Sequence, residues 1–135
     1  MNSKLFPLAG ILLLAILTLG CTSQTVTNPN TTEKANAAIK IIDADSKEII
    51  SQTVEVTKGT DGLHALQKVA TVEAKAYVGM GSMVTAINGI KPDSEHYWAL
   101  YVDGNYATKA IDAYAIDKDV AIEMRLEKID FSKMQ

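Results

Sequence analysis

The residues of this sequence best suited to meet another molecule lie in one run, His96-Tyr97-Trp98-Ala99-Leu100-Tyr101-Val102. Aromatic rings bury large areas, and Tyr and Trp each keep a polar tip, so such a run suits adhesion more than bond-breaking. Alternate side chains of a strand take opposite faces, which puts Trp98, Leu100 and Val102 on one side and Tyr97, Ala99 and Tyr101 on the other. Trp98 is the only tryptophan of the chain and reads as core, with a ligand contact as its second reading. Tyr97 and Tyr101 form an aromatic strip that marks a contact surface if it is open to solvent. The alternative packs the strip beneath the Gly79 to Met83 segment, and the sequence leaves both open. Ile111, Ala113 and Tyr114 follow in a loop that could line the same edge. Asn88 belongs to an Asn-Gly turn, with a polar ligand contact as its second reading. The candidate ligand-binding residues are therefore Tyr97, Trp98, Tyr101, Asn88, Ile111 and Tyr114.

Catalysis finds no comparable group. There is no Ser/His/Asp set, no zinc-spaced cluster and no phosphate-cradling glycine loop, so no catalytic residue is assigned and a non-enzyme is expected. Asp112, Asp117 and Asp119 lack the spacing and the glycine of a calcium loop. His64 reads as a surface residue. His96 could offer a nitrogen to a metal or to cobalt, but a histidine without partner ligands is not read as a metal site. The formal net charge is −3 with acids and bases mixed, and without a basic patch nucleic acid is not an expected partner.

The one cysteine has a different use. Lys4 precedes an apolar run from Leu5 to Leu19, which is short for a membrane-spanning helix and right for the core of a signal peptide. The run ends in Leu17-Thr18-Leu19-Gly20-Cys21, which resembles the lipobox of bacterial lipoproteins. Thr18 departs from the usual aliphatic residue. The resemblance implies cleavage after Gly20, lipidation of Cys21 and anchoring on the extracytoplasmic face of the cell membrane. Thr22 to Lys34 is polar and reads as a flexible tether, so residues 1–20 are assigned to the signal, 21–36 to the lipidated cysteine and tether, and 37–130 to one domain.

Within that domain the hydrophobic period is two. Ile39 to Asp43 and Ile49 to Thr57 read as strands joined by a polar turn at Asp45-Ser46-Lys47. Thr60 is placed to cap a helix over Asp61 to Thr71, with Leu63, Leu66, Val69 and Ala70 on its apolar face. Ser82 to Ile90 reads as a strand ending at Asn88-Gly89. His96 to Tyr106 reads as a hairpin turning at Asp103-Gly104 with type I′ geometry. In the last strand Val120, Ile122, Met124 and Leu126 alternate with Ala121, Glu123, Arg125 and Glu127. The expected class is α+β, with one helix packed on one face of a mixed sheet.

Taken together, VTAINGI, EHYWALYVDG and IDAYAIDKDVAIEMRL resemble the C-terminal domain of the transcobalamin and intrinsic factor cobalamin carriers. They are similar too to small surface lipoprotein domains of the domain-of-unknown-function 4430 type. The resemblance covers roughly Ile39 to Lys128 and implies a β-grasp (ubiquitin-like) fold. It also implies a corrinoid such as cobalamin as ligand. In the carriers a helical barrel closes the site from the opposite side, and this chain has none. An open surface excludes less water, so the resemblance implies weak binding or a second protein that completes the site. The alternative expectation is a non-enzymatic cell-envelope module that meets a protein partner through the same aromatic edge.

Overall fold

The computed structural model describes residues 32–134. The expected signal peptide, Cys21 and the tether up to Thr31 lie outside the described residues. The first strand is β1 (Lys34–Ile42), which starts three residues before the expected domain boundary at Ala37. It alternates cleanly: Ala35, Ala37, Ile39 and Ile41 are buried while Lys34, Asn36 and Ala38 are exposed. β2 (Glu48–Thr57) returns antiparallel beside it, and a bulge sits at Ile41/Ile42. The turn is held by Asp43, whose Oδ1 accepts from the backbone N–H of Asp45 and Lys47, with Ser46 at positive φ. The polar turn residues are thus also its hydrogen-bonding frame.

The chain then enters β3 (Thr60–Asp61) and the helix α1 (Gly62–Gln67). The helix is shorter than the expected Asp61 to Thr71, and its cap is Asp61, not Thr60. Thr60 and Asp61 pair as a strand with Ile116 and Ala115, so their backbones are extended and cannot start the helix earlier. Asp61 accepts the N–H of His64 at 2.9 Å, the ordinary capping bond. At the other end Thr71 N–H donates to the Asn88 side chain, which draws the chain out of the helix and into a strand.

That strand is β4 (Val72–Tyr77), which turns back as β5 (Gly81–Ile87) in a separate two-stranded ribbon. The Gly79-Met80-Gly81 stretch is the ribbon's tight turn, with both glycines at positive φ. Asn88 and Gly89 then form a two-residue turn, also at positive φ, closed by reciprocal hydrogen bonds between Ile87 and Ile90. β6 (His96–Val102) and β7 (Asn105–Tyr106) form the expected hairpin, with positive φ at both Asp103 and Gly104 as a type I′ turn requires. A 3-10 turn at Ile111–Ala113 and the short β8 (Ala115–Ile116) precede β9 (Val120–Lys128).

The main sheet runs β2-β1-β9-β6-β7. β1 and β9 lie parallel at its centre, and the other neighbours are antiparallel. The architecture is α+β: a mixed sheet with one short helix on one face. Ile39, Ile41, Val56, Ile122 and Met124 from the sheet meet Ala65 and Leu66 from the helix and Ile87 from the ribbon. Each of these large side chains contributes about 1.5–3 kcal/mol by leaving water, and together they form the single core.

Candidate functional site

The ribbon and the main sheet do not close on one another. β7 covers only Tyr101 and Val102, so the edge of β6 from His96 to Ala99 has no strand partner on that side. Between this edge and β5 lies an open, largely apolar hollow of about 560 Å³. Trp98, Leu100 and Met124 line it from the sheet. Met80, Ser82, Met83 and Val84 line it from the ribbon, and Ala110 and Ile111 from the loop after the hairpin. A volume of this size falls within the range of small-molecule sites, which are mostly apolar with a few placed polar groups.

The rim carries the exposed apolar surface. Met80 is 70% and Met83 56% exposed, and Val78 at the ribbon tip is fully exposed. Flexible thioethers adapt to irregular partners, and open methionines beside a concavity are characteristic of binding surfaces.

The floor is anchored through a glycine. Gly81 sits at φ +86, and a Cβ built there would meet the Ala110 Cβ at 2.5 Å and Asp112 Oδ1 at 2.7 Å. The backbone can approach this closely only because the side chain is missing. Asp112 accepts from Ser82 N–H with both oxygens at 3.0 Å. Hydrogen bonding from Ser82 holds its carboxyl below the ordinary value, so the carboxylate fastens the ribbon to the 111–113 turn.

Of the six candidate residues, the structure brings Tyr97, Trp98 and Ile111 to the hollow. Trp98 is nearly buried, and its Nε1–H donates to the Ile90 carbonyl at 3.2 Å, so core packing and hollow lining are combined in one ring. Tyr101, Asn88 and Tyr114 do not line it. Asn88 serves two turns through its backbone and Thr71. The Tyr114 hydroxyl accepts from Thr108 and Lys109 N–H and shapes the loop.

The aromatic strip is split: Tyr97 reaches the hollow at the edge of β6, and Tyr101 does not. Ala99 and Tyr101 lie on the face of the sheet opposite Trp98 and do not line the hollow, whereas Tyr97 shares that face but sits at the β6 edge and lines the hollow with Met80 to Met83. The strip is not a bare apolar surface. Tyr101 donates to Glu127 Oε1 at 2.7 Å and stacks edge-on with Tyr106 at 5.6 Å. The Arg125 guanidinium lies 4.3 Å over the Tyr101 ring and is hydrogen-bonded to Glu123. Together they cover Ala99, which is buried. The cause is register: Tyr97, Ala99 and Tyr101 stand directly opposite Glu127, Arg125 and Glu123.

This network predicts an alkaline limit. Burial, then the bond to Glu127, pushes the Tyr101 phenol up to about 12. Burial and the Tyr106 hydroxyl raise Tyr97 in the same direction. Folding therefore favours the protonated phenols, and their contribution is intact below about pH 10, the unfolded value, and lost as pH climbs toward 12. Ultraviolet titration of the native chain should leave Tyr97 and Tyr101 un-ionised at about pH 11. In denaturant every phenol should titrate normally, and Tyr101→Phe should remove part of the delayed native phase.

The residues that sequence reasoning missed are those of the ribbon and of the hairpin's inner face: Met80, Met83, Val84 and Leu100. The glycine pair around Met80 was the available signal. It becomes a hairpin only if Val72–Tyr77 is a strand; VEAKAY alternates Val72, Ala74 and Ala76 with charged residues, but the small alanines carry little apolar signal and the strand is largely exposed. Among the described residues no three His, Cys, Asp or Glu side chains come together as metal ligands.

Two of the solved structures that share this fold are the following. Haptocorrin, crystallised in complex with Cbi, superposes with a TM-score of 0.60 at 18% identity. The match covers 75% of this chain and 27% of haptocorrin, so the chain spans about a quarter of haptocorrin's length. A "putative metal binding protein" from Ruminococcus gnavus ATCC 29149 superposes with a TM-score of 0.54 at 15% identity, over 71% of this chain and 99% of that one. No curated protein matches the sequence. At these identities the likeness is one of fold, and it agrees with a transcobalamin-like domain. The domain of unknown function DUF4430 matches residues 59–128, more than half of the chain and every element from the first helix to the last strand, and the protein belongs to that family.

Proposed function

We propose that this protein is a non-enzymatic ligand-binding module, held at the outer face of the cell membrane through Cys21, whose hollow takes one face of a corrinoid such as cobalamin. The observation that carries the reading is the hollow itself: an apolar concavity floored by Trp98 and rimmed by exposed methionines. Its fold is shared with haptocorrin, a protein crystallised with such a ligand. The parallel pairing of the first and last strands at the centre of the sheet supports a β-grasp domain. Thr22 to Glu33 would reach about 40 Å if extended, enough to present the hollow away from lipid.

The hollow is open on one side. A corrinoid seated there keeps much of its surface in water, which favours modest affinity or a second protein that closes over it. The test is calorimetric titration of the full chain in mild detergent with cobalamin, with quenching of the sole tryptophan, Trp98, as an independent signal. Saturable heat together with quenching is expected. Neither signal at high micromolar ligand, with or without envelope extract, overturns the proposal.

A second reading is favoured by the ribbon tip, where Val78, Met80 and Met83 stand exposed on a two-stranded element. There the hollow would seat a side chain of an envelope protein. Retention of a protein partner that cobalamin fails to displace would favour it.

A further inference from the structure

His96 opens β6 on the same side as Trp98 and Leu100 and lines the mouth of the hollow. Its side chain is only 16% exposed. Nδ1 lies 2.7 Å from Asp93 Oδ1, and that same oxygen also accepts Glu95 N–H at 2.8 Å. Hydrogen bonding from His96 and from the Glu95 backbone keeps the Asp93 carboxyl ionised, with a lowered pKa. A carboxylate can only accept, so Nδ1 carries the hydrogen. In the neutral ring the lone pair then belongs to Nε2, which has no hydrogen-bond partner among the described residues. A carboxylate that fixes the tautomer of an imidazole is the usual outer support of a metal-binding histidine.

His96 does not sit in a free-ion site, because among the described residues no three His, Cys, Asp or Glu side chains come together. One imidazole suffices for a metal whose other positions are already filled by its own macrocycle. We infer that Nε2 of His96 occupies an axial position on the metal of a planar macrocycle seated in the hollow, with Asp93 as its positioning residue. This rests on the corrinoid reading of the same hollow. The step is a ligand exchange: a metal-bound water leaves, its bond replaced by one from the Nε2 lone pair, and no electron is transferred. His64 provides an internal control. It makes the same 2.7 Å contact with a carboxylate, Asp61, but its side chain is 70% exposed on the helix and away from the hollow.

The experiment compares two forms of cobinamide, which lacks a nucleotide base, on the full chain in detergent. The diaquo form has exchangeable water on both faces, and the dicyano form has both positions blocked. The wild-type chain should shift the corrin absorption bands of the diaquo form and not those of the dicyano form. His96→Ala should abolish the shift and weaken diaquo binding by more than about 10-fold, Asp93→Asn should weaken it by about 10-fold, and His64→Ala should change neither. A far-ultraviolet circular dichroism spectrum and a urea midpoint matching the wild type show that His96→Ala is folded. Binding of both forms without a band shift, or a shift that survives in His96→Ala, overturns the axial assignment and leaves the corrinoid reading standing. If neither form binds the wild-type chain, the corrinoid reading fails and the axial assignment fails with it.

Discussion

Gly81→Ala is expected to destabilise the domain by roughly 2–6 kcal/mol, the sum of a strained backbone and a forced contact. At φ +86 an L side chain is strained before any neighbour is considered. The new methyl would then stand 2.5 Å from the Ala110 Cβ and 2.7 Å from Asp112 Oδ1. The Asp112 oxygen cannot retreat freely, because it is bonded to Ser82 N–H. Relief has to come from moving β5 off the 111–113 turn, and that turn is one wall of the hollow. Gly79→Ala separates the two contributions. Gly79 has φ +79, but no atom lies within 4 Å of the place its new methyl would take, so that variant should lose only the backbone part, about 1–3 kcal/mol. Urea unfolding of both variants measures the difference. Equal losses would show that the close approach at Gly81 carries no stability. A domain typically has only about 5–15 kcal/mol in total, so the larger figure is enough to leave a substantial fraction unfolded at elevated temperature.

The double variant Met80→Ser, Met83→Ser is expected to do the reverse: little to the fold and much to binding. Both side chains are already largely in water, so their removal should change unfolding free energy by no more than about 0.5 kcal/mol. A ligand in the hollow would cover both. Recovering even half of the burial energy of a methionine, about 1.4 kcal/mol for each, amounts to about 100-fold in Kd for the pair. Calorimetry with cobalamin reads this directly. Unchanged affinity would mean that the ribbon stands clear of the ligand and that only the sheet side of the hollow is used.

The contrast between the two predictions follows from what was legible in the sequence. β1 and β9 announce themselves because one side of each is core and the other is solvent, so Ile39, Ile41, Ile122, Met124 and Leu126 keep strict period two. The Asp103-Gly104 and Asn88-Gly89 turns were equally legible, since each demands positive φ at both positions. The helix was misjudged at both ends by tertiary contacts that no local signal encodes: the pairing of Thr60 with Ile116 and the capture of Thr71 by Asn88. β4 was weakly marked because its alternating apolar set is mostly alanine and the strand is largely solvated.

The site was half-legible for a related reason. The sequence placed the aromatic residues on two sides of β6 but could not say which side stays open, since that depends on where the ribbon travels. Tyr101 is engaged by charged partners across β9, while Tyr97 reaches the mouth of the hollow. The tryptophan side faces a ribbon that stands away, and so is the open one. The pairing of His96 with Asp93, three residues earlier, was written in the chain but acquires meaning only beside a hollow.

The central claim is that a ligand enters between the ribbon and β6, on the Trp98 side of the sheet. Amide chemical-shift mapping of the isotopically labelled full chain, titrated with cobinamide, tests it most directly. Shifts concentrated at Ser82, Val84, Leu100 and Ala110, with Ala38, Ser51 and Arg125 on the outer face unmoved, are the predicted result. Shifts confined to Tyr101, Arg125 and their neighbours on the outer face, or no shifts at saturating ligand, would contradict it.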